Sequence, residues 1–372
     1  MAPPPLAGLR ILEMAGIGPG PFCAMMLADH GAEVIRVERP GPPGLTDATR
    51  DPLLRSRRTI ALDLKQPHAV AAVRRLAATC DGLIEGYRPG VMERLGLGPG
   101  LLLEDNPRLV YGRMTGWGQT GPLAQAAGHD IDYLAISGTL HMLGEANRKP
   151  SAPINLAADF GGGGMMLAFG MLAAILQAQV SGTGQVVDCA MTEGSAVLAS
   201  MMWGFRAMGQ WSDARGTNLL DGGAPFYDTY ETADGKWIAV GAIEPQFYAT
   251  LRTVMELEGA EWNAQFLPPV WPSLKRELSQ RFKRRSRDEW VAAFVGHEAC
   301  IAPVLDFDEA VAHPHNVARA SFVTAGGVTQ PAPAPRYSVS ATVAPRMAGD
   351  SDGAAILAEA GFTSTETAAL GF

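Results

Sequence analysis

Leu9-Arg10-Ile11-Leu12-Glu13-Met14, Gly16-Ile17-Gly18-Pro19-Gly20-Pro21, the apolar run from Phe22 to His30 closed by Gly31, and Val34-Ile35-Arg36-Val37-Glu38 form the opening stretch. Its reading decides the fold. The first and last segments have the apolar look of central strands, the run between them has helical length, and a glycine-rich turn joins strand to helix. This is a βαβ unit. Working outward, Thr59 to Leu64 reads as a third strand and His68 to Cys80 has helical spacing. Gly82-Leu83-Ile84-Glu85-Gly86 leads to the loop Tyr87-Arg88-Pro89-Gly90, and Arg108 to Met114 is a further strand. Strands alternating with helices predict an α/β class with a large, parallel-sheet, Rossmann-like domain.

The middle of the chain carries a second notable stretch. It opens with Gly128-His129-Asp130-Ile131-Asp132-Tyr133 and closes with Asp159-Phe160 and the four glycines 161–164. From Phe160 to Val187 no residue is charged, a length that would span a bilayer. The glycines, Gln177, Gln179 and the break at Ser181-Gly182-Thr183-Gly184 argue instead for a buried helix, Met165 to Val180, followed by the strand Gln185 to Asp188. No membrane span is expected. Met191 to Met208 reads as one long apolar helix, and Trp211 to Gly223 as a polar linker. Phe226 to Thr232 and Lys236 to Gly241 flank Ala233-Asp234-Gly235, a hairpin signal. Glu244-Pro245 starts a helix, with proline suited to its first turn. Ser286 and Glu289 form a capping box for a helix from Arg287 to Val295, and 354–360 looks helical. The expected organisation is a large domain from 1–188 and 325–372, a linker helix and loop at 189–222, and a small α+β domain at 223–324.

Composition bounds the function. A chain of 372 residues is long enough for two domains, since single cores stop growing near ~250–300 residues. Charged residues make up 18%, below the roughly 25% usual for soluble domains. With 43 Gly and 27 Pro, this points to much buried surface, subunit interfaces included. A net charge of −8 argues against a general affinity for nucleic acid or anionic membrane. Cys23, Cys80, Cys189 and Cys300 show no CxxC spacing, so neither a disulfide framework nor a metal site is expected. The first residues lack the features of a signal peptide, and Leu370-Gly371-Phe372 is not a peroxisomal address. The expected location is the cytoplasm.

Three signals bear on chemistry. The Gly16 turn, with Glu38 ending the next strand, invites a dinucleotide reading. Its spacing is Gly-x-Gly-x-Gly, and its prolines remove N–H donors that phosphates would need, so a tight non-nucleotide turn is expected. His129 stands where a helix pattern begins, and a helix N-terminus disfavours the imidazolium, leaving the ring able to accept a proton. Asp159 fits a plain helix N-cap. The glycines behind it weaken a helix by up to ~1 kcal/mol each, which points to close approach of a ligand to that backbone. Taken alone, the residues leave a structural and a catalytic role open for both. His313-Pro314-His315 reads as a loop and the basic run Arg281 to Arg287 as a solvated face.

The sequence resembles the family III CoA-transferases, and among them the α-methylacyl-CoA racemases. The likeness runs through LRILEMAGIGPGP (9–21), EGYRPGVMERLGLG (85–98), RMTGWGQTGP (113–122), GHDIDY (128–133), Asp159 to Gly163, DGGAPFYDTY (221–230), VGAIEPQFY (240–248), Ala302-Pro303-Val304 and 333–337. In the transferases the aspartate matched by Asp159 is a covalent carrier. In the racemases it is a base, opposed by a histidine that His129 matches and the transferases typically lack. The resemblance also implies that Glu244 is paired with the histidine across an interlocked homodimer, with sites shared between subunits. It places CoA contacts at Arg39, Asp63, Leu64, Lys65, Gly86, Tyr87, Arg88, Arg94, Gly128 and Tyr133.

The expected reaction is deprotonation of the carbon beside a thioester carbonyl by one of His129 and Asp159, with the proton returned to the opposite face by the other. The substrate is a 2-methylacyl-CoA, and no separate cofactor is expected. The enolate oxygen needs donors, and N–H groups at the start of the His129 helix, that of Asp130 included, are the candidates. A family III transferase using Asp159 as nucleophile is the alternative. Met165, Met166, Met191, Met201, Met202 and Met208 fit either a pliable acyl surface or ordinary packing.

Overall fold

The computed structural model describes residues 2–41, 47–349 and 351–372. The opening stretch folds as expected into β1 (Arg10–Met14), α1 (Pro19–Asp29) and β2 (Glu33–Glu38). Helix α1 starts at Pro19 rather than Phe22. Gly18 precedes it at φ 67, and both prolines fall in the first turn, where N–H groups have no acceptor within the helix. Next come β3 (Arg58–Ala61), α2 (Pro67–Ala77), β4 (Gly82–Glu85), α3 (Val91–Arg94), α4 (Pro99–Asp105) and β5 (Val110–Thr115). Helix α5 (Asp130–Ile136), a π-helical segment (Leu156–Met165) running into α6 (Met166–Ser181), β6 (Gln185–Ala190) and α7 (Met191–Leu198) follow.

The six strands make one parallel sheet in the order β3-β2-β1-β4-β5-β6. Strands β4 and β5 are buried along their whole length, as expected for a parallel sheet covered on both faces. On one face Leu12, Met14, Ile35, Leu83 and Tyr111 pack with Val73 and Leu76 of α2 and Leu102 of α4. Helices α1 and α6 pack on the sheet as well. Met171 of α6 lies close against Gly82 and Gly112, where a Cβ would come within 2.7 Å of it.

The chain divides into two compact units: Met1–Ser137, Ile154–Leu198 and His315–Phe372 form one, and Gly138–Pro153 with Ala199–Pro314 form the other. These limits differ from the expected ones. Residues 138–153 join the second unit because Arg215 Nε and Nη1 donate to the carbonyls of His141 and Arg148, both at 2.9 Å. The expected single helix from Met191 to Met208 is interrupted at Ala199, where one unit gives way to the other; α8 (Ser200–Ala207) belongs to the second.

In the second unit, β7 (Tyr227–Glu231) and β8 (Trp237–Gly241) form the expected hairpin, with Gly235 at φ 74 in the turn. Helices α9 (Pro245–Met255), α10 (Trp271–Phe282) and α11 (Arg287–Ala293) precede β9 (Ile301–Pro303), which completes a three-stranded antiparallel sheet. Its core is aromatic, with Tyr230 stacked on Phe282 at 5.1 Å and Trp262 fully buried. The capping box at Ser286 is present. Arg287, expected on a solvated face, is buried because Glu309 and Asp288 pair with it. Helix α12 (Phe307–Ala312) follows, and α13 (Pro314–Ala318) takes up the predicted His313-Pro314-His315 loop. The chain then returns to the first unit with the β10 (Phe322–Ala325) and β11 (Val328–Pro331) hairpin, α14 (Gly353–Glu359) and α15 (Ser364–Ala369).

The apolar helix needs a correction of length. The π-helical segment joins α6, so Leu156–Ser181 runs 26 residues, long and apolar enough to cross a bilayer by length and composition. Leu167, Met171 and Ile175 are buried in the first unit. Met165, Phe169, Leu176 and Val180, on another face, are exposed.

Candidate active site at the carboxyl edge of the sheet

In an open parallel sheet, ligands bind beyond the strand carboxyl ends, where the order reverses. Here that point lies between β1 and β4. A cavity of about 670 Å³ opens there, walled by Gly16 to Pro21 after β1, Gly86 to Pro89 after β4 and Thr115 to Trp117 at the end of β5. Gly128, His129, Tyr133, Asn155, Asp159 and Met191 are among the other lining residues. The two expected proton carriers are therefore brought to one cavity.

His129 is the exposed residue just before α5, in extended backbone, and its N–H donates to Asp132 at 3.0 Å. Asp159 is half-buried in the first turns of the π-helical segment, not at a helix start as its N-cap reading required. Asn155 stands at that start in left-handed backbone, φ 61, and its Nδ2 donates to Asp159 Oδ2 at 2.7 Å. Burial raises the Asp159 pKa above the usual carboxylate value. Asn155 opposes that rise, Asp130 adds to it, and a charged His129 opposes it.

Asp130 links the two. It is buried, follows His129 directly, and its Oδ1 accepts from the N–H groups of Ala158 and Asp159 at 2.9 and 2.8 Å. Its carboxylate thus fixes the backbone that carries Asp159. Its own N–H is at the first helical position of α5, where no acceptor exists within the helix.

The glycine run has a different purpose from the expected one. A Cβ on Gly162 would sit 2.6 Å from Ser195 N, one on Gly163 2.9 Å from Met191, and one on Gly164 2.7 Å from Phe22. What approaches this backbone is protein, α7 on one side and α1 on another, not a ligand.

Of the expected CoA contacts, Gly86, Tyr87, Arg88, Gly128 and Tyr133 line the cavity. Arg39, Asp63, Leu64, Lys65 and Arg94 do not, although Arg39 follows β2, Asp63 to Lys65 follow β3, and Arg94 ends α3, on loops beyond the same strand ends. Arg88 is the one Lys or Arg among the described lining residues. Glu85 shapes its loop by accepting from Tyr87 N at 2.7 Å and from Arg113 Nε at 2.9 Å. Tyr133 is packed edge-on against Trp117 at 4.8 Å and donates to the Gly128 carbonyl. Burial, with Asp159 second, pushes its hydroxyl up to about 12. Gly116 and Gly128 leave room for that ring, since a Cβ on either would meet it within 2.7 Å.

Glu244 is exposed in the second unit, at the N-cap of α9. The methionine group is not gathered: Met191 lines the cavity, with Met14 and Met114 rather than the other five. Sequence reading missed Asn155, Trp117 and Glu85. Only Asn155 carried a signal, an asparagine before an apolar helix, a type that tolerates left-handed backbone.

A family model described as CoA-transferase family III matches residues 6–349. The chain is 49% identical to alpha-methylacyl-CoA racemase of Mus musculus over 334 residues, 90% of this chain and 86% of that one. It is 48% identical to alpha-methylacyl-CoA racemase of Homo sapiens over 89% of this chain and 86% of that one. Among solved structures, a CAIB/BAIF family protein from Brucella suis superposes with a TM-score of 0.82 at 27% identity, covering 96% of this chain and 100% of that one. With the match spanning nearly its whole length, the chain belongs to CoA-transferase family III.

Proposed function

We propose that the protein is an α-methylacyl-CoA racemase, an isomerase that interconverts (2R)- and (2S)-2-methylacyl-CoA thioesters. The observation that carries this reading is that a histidine and a carboxylate line one cavity, joined through Asp130. One of the two removes the α-proton, and the C–H electron pair passes into the thioester as an enolate. The other returns a proton to the opposite face. Each is a competent base near neutral pH and becomes an acid once protonated. Proton transfer contributes about 10²–10⁴-fold, so the enolate oxygen needs donors as well, each worth about 3–4 kcal/mol. The N–H of Asp130 is our candidate. The relatives named alpha-methylacyl-CoA racemase support the substrate class.

The nucleotide end of CoA runs along the strand ends towards β2 and β3, with Arg88 nearest the reacting centre and Arg39, Lys65 and Arg94 further out. A charge-assisted hydrogen bond to phosphate contributes about 1.5–3 kcal/mol. Arg88→Ala and Arg94→Ala should each weaken free CoA binding by about tenfold or more in calorimetry. Unchanged dissociation constants would remove these residues from the CoA site.

We also propose a homodimer in which Glu244 of one subunit completes the site of the other. The exposed stripe of Met165, Phe169, Leu176 and Val180 supports an apolar interface.

The test of the reaction class uses one pure epimer of a 2-methylacyl-CoA with no acceptor acid present. The racemase reading expects loss of optical activity with the thioester intact. The transferase alternative expects no change until an acceptor is added, and an adduct at Asp159 that hydroxylamine traps.

A further inference from the structure

The proton-transfer scheme makes no use of a buried charge cluster beneath the Gly16–Pro21 turn. Glu13 of β1 and the Arg57 side chain are fully buried, and Arg36 of β2 nearly so. Glu13 Oε1 accepts from Arg36 Nη1, and Glu13 Oε2 accepts from Arg57 Nε at 2.6 Å. Each guanidinium has another arm on the turn. Arg36 Nη2 donates to the Gly16 carbonyl at 3.2 Å, and Arg57 Nη2 donates to the Pro21 carbonyl. One carboxylate thus holds both ends of the turn through two arginines. The middle of that turn lies against Asp159: a Cβ on Gly18 would be 3.2 Å from Asp159 Oδ2.

We propose that Glu13, Arg36 and Arg57 are positioning residues for Asp159, acting through the glycine turn, which they hold closed over one side of its carboxylate. Well-packed apolar residues would fill the same space at least as stably, but would not grip the carbonyls at the two ends of the turn. The inference rests on Asp159 being a proton carrier.

Its signature is in the pH profile. The turn shields Asp159 from water, and burial is the main cause of its raised pKa. The other groups facing it are His129, Asp130 and Tyr133 from the α5 side and Asn155 from its own segment. The start of α1 presents the uncharged Pro19 and Phe22 to Gly163 and Gly164 of the same segment, and Glu193 of α7 is exposed. Loosening the turn lets water reach the carboxylate and lowers its pKa.

The experiment measures epimerisation of a 2-methylacyl-CoA by the full chain carrying Glu13→Gln or Arg36→Lys, with thermal unfolding as the check on folding. Expected are a kcat lower by roughly 10–100-fold, the loss a displaced reacting group brings, with KM little changed. For the epimer that Asp159 deprotonates, the acidic limb of kcat/KM should move to lower pH. A folded variant with wild-type kcat, or with reduced kcat and an unmoved limb, overturns the proposal. Arg36→Lys keeps a charge opposite Glu13 and removes the arm to Gly16, so it decides the matter if Glu13→Gln does not fold. Wild-type protein that fails to epimerise overturns the racemase reading itself. Wild-type turnover with indifferent variants overturns only the positioning role.

Discussion

Asp159→Asn should lower epimerisation by at least about 10²–10⁴-fold, equally from either epimer. The substitution keeps the shape of the side chain and an oxygen for Asn155 to donate to, but removes the group that takes and returns a proton. In the proposed scheme the carboxylate is the base for one epimer and the acid for the other, so neither direction should survive. CoA affinity should be unchanged, since the expected phosphate contacts lie on other loops. Polarimetry with each pure epimer checks the first point and calorimetry the second. In the wild type, burial keeps the Asp159 pKa above the usual carboxylate value. The basic form is lost as pH falls through that raised value, so the acidic limb of kcat/KM for the epimer it deprotonates lies above the ordinary aspartate range. Substantial epimerisation by Asp159→Asn would assign the proton transfer elsewhere.

Gly194→Ala should be the most damaging one-methyl change away from the proton carriers. A Cβ there would lie 1.8 Å from the Gly162 carbonyl oxygen and 2.6 Å from its carbonyl carbon. Both are backbone atoms, so no rotamer relieves the clash and α7 must move off the π-helical segment. Overpacking of this kind costs about 3 kcal/mol, or roughly 6–12 °C in Tm for a unit of this size. Activity should fall too, because Met191 at the head of α7 lines the cavity. Gly204→Ala is the control. Nothing lies within 4 Å of a Cβ at that position of α8, and alanine is the better helix former. A Gly194→Ala protein with wild-type Tm would contradict the close helix contact.

What was legible in the sequence follows from the range over which each signal acts. The βαβ opening, the Ala233-Asp234-Gly235 hairpin and the Ser286 capping box are set by residues near one another in the chain, and all three are present. The glycines 161–164 were legible as a cost but not as a cause, because the helices that need the space are supplied by residues 19–22 and 191–195. Arg287 looked solvated because Glu309, 22 residues away, was not visible as its partner. The break at Ala199 has no local marker, since apolar residues continue through it. In the site, His129 and Asp159 were visible by type. Asn155 showed only as an asparagine before an apolar helix, and the Glu13 cluster not at all, since their roles depend on hydrogen bonds to the site segments that sequence does not display.

The central claim is that two proton carriers serve opposite faces of one carbon. Deuterium uptake in D₂O, followed by NMR from pure (2R)- and pure (2S)-2-methylacyl-CoA, tests it most directly. Wild-type protein should introduce α-deuterium into both and bring each to the same epimer mixture. His129→Ala and Asp159→Asn should each stop epimerisation, and any exchange that survives should be confined to one epimer, a different one for each variant. Absence of α-deuterium in the wild-type reaction, or epimerisation at the wild-type rate by either variant, would contradict the account.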